Sequence, residues 1–142
     1  MSTQARATPI SEKVLNTVRR CVAESLAIPE TDIALTSRLV DDLGADSLDF
    51  VDIVFSLDSE LDIRVRESEF NFITRLDFSS PEVMKGGFLT KEVTDRLAEW
   101  LPAMEAVPDR SKITPRQLFS LITIEAICIV AERRLLALGR AT

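Results

Sequence analysis

The feature that most constrains this chain is a set of apolar residues recurring every three or four positions over long runs. Val14, Leu15, Val18, Val22 and Leu26 follow this spacing behind Ser11. They predict an amphipathic helix over about 11–27, with Ser11 as its N-cap and Pro29 marking its end. Leu48, Val51, Val54, Phe55, Leu57 and Leu61 predict a second helix over about 47–61. Val93, Leu97, Trp100 and Leu101 share one face of a shorter helix over about 90–101, which Pro102 stops. Pro115 behind Thr114 opens a last helix over about 114–134, with Arg133 and Arg134 where the helix dipole favours cations. No comparable period-two alternation competes with these runs, so the expected fold class is all-α.

The connections carry their own signals. Ile33, Leu35 and Leu39 recur among polar residues in 28–46, which predicts a long crossing loop pinned by its apolar side chains. Gly44 is expected at a turn that excludes a side chain. Farther on, E-F-N-F-I-T-R-L-D-F is dense in apolar residues, and S-S-P-E-V-M-K-G-G-F reads as a broken turn around Pro81 and Gly86-Gly87. With 142 residues, 46% of them hydrophobic, the whole of 1–142 is expected to form one domain.

Charge narrows the partners. The formal net charge is −6, the wrong sign for a general nucleic-acid backbone binder and a better match for basic proteins. Asp41, Asp42, Asp46, Asp49, Asp52, Asp58 and Glu60 fall within 41–60, where there is no Lys or Arg. On the second helix Asp49, Asp52, Ser56 and Glu60 form an acidic stripe opposite the apolar one; the plain reading is a face that keeps the helix soluble. Asp46 and Asp49 also suit a helix N-terminus.

Cys21 and Cys128 lie in apolar runs and are expected to be buried thiols, with a disulfide as the lesser alternative. The N-terminus M-S-T-Q-A-R-A-T-P lacks a long apolar core, and I-T-I-E-A-I-C-I-V-A at 122–131 contains Glu125 and is too short to span a bilayer. A cytoplasmic location without membrane insertion is the resulting expectation.

Against this background D-D-L-G-A-D-S-L-D-F-V-D, residues 41–52, places Ser47 at the start of a helix within a negative field. The chain has no histidine, and G-A-D-S-L is not a nucleophile elbow, so a hydrolytic triad is not expected. No phosphate-binding glycine motif or metal-ligand spacing is present, and no metal is expected. Asp41/Asp42 or Asp46/Asp49 as an acid–base pair would need a cleft that this layout does not offer. The remaining chemistry is a serine acted on by another protein, whose basic surface the acids would steer and orient. Attachment of a prosthetic group and phosphorylation both fit.

D-L-G-A-D-S-L-D, in register with D-x-V-x-x-L-x-x-E-L at 52–61, resembles the attachment motif of acyl carrier proteins, close to the bacterial fatty-acid carriers. The resemblance implies a four-helix bundle and no enzymatic activity of the chain's own. It implies a covalent 4'-phosphopantetheine on Ser47, installed by a holo-carrier synthase and carrying fatty acyl cargo as thioesters. It places Asp46, Leu48, Asp49, Asp52, Ser56 and Glu60 on a partner-docking face for ketosynthases, other fatty acid synthesis enzymes and acyltransferases. A monomer is the family expectation.

The ordinary carrier pattern covers about 11–66 and resumes near 112–134, leaving an enlarged segment over about 67–111. D-S-L-D-F-V-D-I-V-F-S-L-D-S-E-L-D-I-R-V is similar to the carriers dedicated to very-long-chain acyl groups of lipid A biosynthesis. The enlarged segment, with Phe70, Phe72, Phe78, Phe88 and Trp100, would then widen the enclosure for a long chain or dock a selective partner. Its plain alternative is extra helical structure packed on the bundle. A polyketide or peptide-synthetase carrier and an unmodified helical interaction domain are the competing functional readings.

Overall fold

The computed structural model describes residues 9–64 and 77–139. Phe70 and Phe72 of the enlarged segment lie outside these residues. Helix α1 spans Glu12–Leu26. The Ser11 hydroxyl accepts the Val14 N–H at 3.2 Å and caps its start. Its far end closes at Ala27, a left-handed residue with φ of 56°, followed within two positions by Pro29. Val14, Val18, Cys21 and Val22 are buried along one face, and α1 packs on both α2 (Ser47–Leu61) and the last helix.

The crossing loop between α1 and α2 is pinned as expected: Ile33 and Leu39 are buried and Leu35 is half-buried. Its backbone is also paired. Leu39 N–H donates to Ile122 O at 2.9 Å, Ile124 N–H to Ser37 O at 3.0 Å, and Glu125 N–H to Leu35 O at 2.9 Å. This pairing corrects the single helix expected over 114–134. The segment divides into α4, Pro115–Ser120, and α5, Ile124–Ala137, because the carbonyl and N–H groups at 122–125 bond to the loop. Thr114 caps α4 by accepting from Gln117 N–H, and Thr123 caps α5 by accepting from Ala126 N–H. Leu121 and Ile122 stay buried through the break, so the apolar pattern gave no sign of it.

The enlarged segment holds a short hairpin, β1 Met84–Lys85 and β2 Phe88–Leu89, then α3, Lys91–Ala98. Gly86 and Gly87 form the two-residue turn at φ of 63° and 87°, a pair of left-handed positions that glycine adopts without a steric penalty. The expected broken turn is therefore present, but the two strands flanking it were not anticipated in an otherwise helical protein. The helix is shorter than expected: after Ala98 the chain turns through Trp100 and Leu101 into a 3-10 helix at Pro102–Ala106. A second 3-10 turn, Arg110–Lys112, leads to α4.

One continuous core joins the five helices, the second hairpin strand and the Pro102–Ala106 turn. Val18 and Val22 of α1, Phe50 and Leu57 of α2, Trp100, Leu101 and Met104 of the enlarged segment, and Ile127 and Val130 of α5 belong to the same buried cluster. Leu89 N–H donates to Ile113 O at 2.8 Å, and Arg133 of α5 reaches Glu99 O at 3.3 Å. Two buried ionisable residues on α5 tie down its neighbours. Glu132 accepts the Ser11 N–H at 2.6 Å, and Arg134 Nε donates to Ile63 O at 3.0 Å, just beyond α2. The position of Arg134 near a helix end is thus a tertiary bond as much as a dipole effect. Among the described residues no helix is long and apolar enough to cross a membrane.

Candidate functional site

The loop before α2 is built to present the head of that helix. Asp42 accepts the Arg38 N–H at 2.8 Å, Leu43 and Gly44 N–H close turns on Arg38 O and Val40 O, and Ala45 is buried. Gly44 adopts φ of 77°, yet a Cβ there would meet no atom within 4 Å. Its glycine serves the backbone angle rather than a tight space, which corrects the expectation of a crowded turn.

Residue 47 is the first residue of α2. Asp46 before it is exposed and accepts the Asp49 N–H at 2.9 Å, while Asp49 accepts the Asp46 N–H at 3.0 Å. This reciprocal capping box fixes where the helix starts and so fixes the backbone of Ser47. The sequence reading recognised the electrostatic fit of these two acids but missed the box; D-x-x-D at 46–49 was its signal. Removing one half should cost roughly 1 kcal/mol of stability. Asp46→Ala is therefore expected to lower the thermal midpoint by a few degrees, and an unchanged midpoint would mean that the box carries no weight.

The rest of α2 sorts differently from the sequence expectation. Phe50, Ile53, Val54, Leu57 and Leu61 form the buried face, with Phe50 edge-on to Phe119 of α4 at 6.3 Å between ring centres. Leu48 is 78% exposed and Phe55 64% exposed, with Val51 half-buried between them. All three belong to the apolar stripe expected from spacing, although the resemblance also put Leu48 on the partner-docking face. Because α2 is apolar around most of its circumference, several stripes fit the spacing, and the tighter set beginning at Phe50 faces the core.

The acidic stripe also has more local partners than a merely solvated face would. Asp52 accepts from Ser25 Oγ at 2.8 Å, and Glu60 is ion-paired with Arg20, both from α1. Ser56 is half-buried beside them. The residues expected on a docking face thus fall into two groups along one helix: Asp46, Leu48 and Asp49 at its head, and Asp52, Ser56 and Glu60 on the flank toward α1.

Both cysteines are free and buried. Burial pushes the Cys21 thiol up to about 11, with the Glu60 carboxylate adding to the shift, and pushes Cys128 up to about 12, with Glu132 and Glu125 adding. A raised pKa keeps the unreactive thiol form, so both cysteines stay almost wholly protonated at pH 8. Native apo-protein is therefore expected to react slowly with a thiol reagent, releasing both thiols only on denaturation. Rapid native labelling of either would contradict their burial. Among the described residues no group of His, Cys, Asp or Glu is placed to hold a metal ion.

Residues 16–78 match the family model described as the phosphopantetheine attachment site. The chain is 35% identical over 63 residues to the acyl carrier protein of Thermotoga maritima, covering 44% of this chain and 78% of that one. It is 41% identical over 56 residues to the acyl carrier protein of Clostridium acetobutylicum, covering 39% and 73%. With the Campylobacter lari acyl carrier protein it shares 30% over 64 residues, covering 45% and 83%. No solved structure matches. The chain belongs to the acyl carrier protein family: it is a non-catalytic carrier of acyl thioesters on a covalent 4'-phosphopantetheine.

The described residues fit that group at the head of α2. Gly44, Asp46 and Leu48 are exposed around position 47, and an O-linked phosphodiester there would lie at the positive end of the helix dipole. The bound arm supplies the thiol for thioester chemistry.

Proposed function

We propose that Ser47 is the residue esterified by the 4'-phosphopantetheine arm, and that α2 presents the docking face read by the enzymes that install and use it. The observation that carries this reading is the exposure of Leu48 and Phe55, one and eight positions beyond Ser47, on a helix whose other apolar residues are buried apart from the half-buried Val51. Seven positions on a helix return to the same side, so the two form a ridge beside the attachment point. Asp46 and Asp49 at its head and Asp52 and Glu60 on its α1 flank line it with negative charge, suited to a basic partner surface with apolar sockets. Ser56 lies on the same flank.

The partners proposed are a holo-carrier synthase, ketosynthases and other fatty acid synthesis enzymes, and an acyltransferase. Two of the acids enter docking already bonded to α1. A basic partner approaching Asp52 and Glu60 competes with Ser25 and Arg20 of α1. Leu48→Ala and Phe55→Ala should each lower kcat/KM of phosphopantetheine transfer by about 10-fold or more, with circular dichroism unchanged, because truncating a desolvated anchor costs more than about 1 kcal/mol. Arg20→Ala, by releasing Glu60, should raise it by a few-fold, in keeping with an exposed ion pair worth up to about 1 kcal/mol. Wild-type transfer kinetics in both ridge variants would refute this docking face.

The cargo proposed is a very-long-chain fatty acyl group of the lipid A pathway. Its support is the similarity of 46–65 to carriers of that kind, together with the size of the segment between α2 and α4. Mass spectrometry of the acyl thioester on protein isolated from its native host tests the assignment. Chains well beyond ordinary membrane length support it; a polyketide or aminoacyl thioester would assign the carrier to a modular synthase instead.

A further inference from the structure

The segment between α2 and α4 contains a cavity of about 540 Å³ to which thioester carriage assigns no role. Its walls come from the hairpin, the head of α3 and the Arg110–Lys112 turn. Three cations line it: Lys85, Lys91 and Arg110. Leu89 lies buried behind the wall, and most of the accessible surface is carbon of the lining residues. A volume in this range is ordinary for a small-molecule site, where apolar walls with a few charged groups fix one orientation.

The charges on the walls are unequally satisfied. Asp95 accepts from Lys91 Nζ at 2.8 Å, and Asp109 takes the Ser111 N–H at 3.0 Å and its hydroxyl at 2.5 Å. Lys91 thus offsets Asp95, while Asp109 is hydrogen-bonded but keeps its charge, so three cations face two carboxylates and the walls carry an excess of one positive charge. Lys85 and Arg110 have no side-chain partner among the described residues. On a chain of net charge −6, two unpaired cations from separate elements facing one apolar-walled cavity form a local site complementary to an anion. Thr90 adds to this: its hydroxyl donates to Glu82 O at 2.8 Å, and no side chain caps the first turn of α3 on the same wall.

We propose that this cavity binds an amphipathic monoanion, an alkyl chain ending in a carboxylate or a phosphate, with its head at Lys85 and Arg110 and its tail along the carbon surface of the same walls. Such molecules have the chemistry of free fatty acids and of single-chain lipid phosphates. The carrier would then hold a free acyl anion at a place separate from the arm on α2. An arginine and a lysine from different elements favour a charged head over a hydroxyl, and the apolar wall favours a tail over a bare ion.

Isothermal titration of the full chain with decanoate, decyl phosphate, decanol and inorganic phosphate tests the site. Decanoate or decyl phosphate should bind at one-to-one stoichiometry, and the preferred head group distinguishes a fatty-acid source from a lipid-phosphate source. The double variant K85A/R110A should weaken binding by about 10-fold or more, as loss of charge-assisted contacts predicts. Both residues are exposed, so the variant should fold; unchanged circular dichroism checks this, and K85E alone gives a second, charge-reversing test. Ser47→Ala should bind like the wild type, which separates failure of this site from failure of the attachment assignment. Absence of binding, decanol binding as tightly as the anions, inorganic phosphate binding as tightly as decyl phosphate, or full binding by K85A/R110A would each overturn the proposal.

Discussion

Trp100→Ala is expected to lower the unfolding free energy of the whole protein by about 3–5 kcal/mol, the usual cost of emptying a large aromatic site. Trp100 is 1% exposed and shares its buried cluster with Val18 of α1, Leu57 of α2 and Ile127 of α5. The enlarged segment is therefore proposed to fold with the carrier helices as one domain, not as an appendage. The backbone bond from Leu89 to Ile113 and the Arg133 contacts with Glu99 support the same coupling. Chemical denaturation checks it: Trp100, the single tryptophan, reports the enlarged segment by fluorescence, and far-UV circular dichroism reports the helices. Coincident transitions in the wild type, and a large shift of the circular dichroism transition in the variant, are the expected results. Two separated transitions would show that the segment is an independent unit.

Ser47→Ala should abolish attachment of the arm and, with it, all acyl loading, while leaving stability within about 0.5 kcal/mol of wild type. The cap of α2 belongs to Asp46 and Asp49, so a loss of modification in this variant reads as chemistry and not as helix fraying. Alanine at the first position of a helix is well tolerated, and its strong helix propensity suits that place. The contrast with Asp46→Ala is instructive, since that variant keeps the hydroxyl but loosens the structure that presents it.

Most of the bundle was legible because its helices obey one period. The bounds of α1 and α2 follow from Ser11, Pro29, Asp46 and the apolar spacing, all local signals. The break before α5 was not legible from apolar spacing, since Leu121 and Ile122 are buried whether or not the helix continues; what interrupts it is a loop more than 80 residues earlier in the chain. Thr123 followed by Glu125 was the one local hint. The hairpin of the enlarged segment is too short for alternation to register, although Gly86-Gly87 marked its turn.

At the candidate site, residue type was read more reliably than direction. The motif around Ser47 and the acids of α2 were evident, but apolar spacing grouped Leu48 and Phe55 with the core-facing residues, and only the resemblance put Leu48 on a docking face. Their exposure depends on which of several apolar stripes meets α1, and that is decided by tertiary packing. Likewise Asp52 and Glu60 could be recognised as charges, while their bonds to Ser25 and Arg20 required the two helices to be placed side by side.

The most direct test of the central claim is the intact mass of wild type and Ser47→Ala after incubation with coenzyme A and a broad-specificity phosphopantetheinyl transferase. The wild type is expected to gain the mass of one phosphopantetheine group and the variant none, with both proteins folded. An identical gain in the variant would place the arm on another residue. No gain in the wild type, with a control carrier modified in the same reaction, would contradict the attachment assignment.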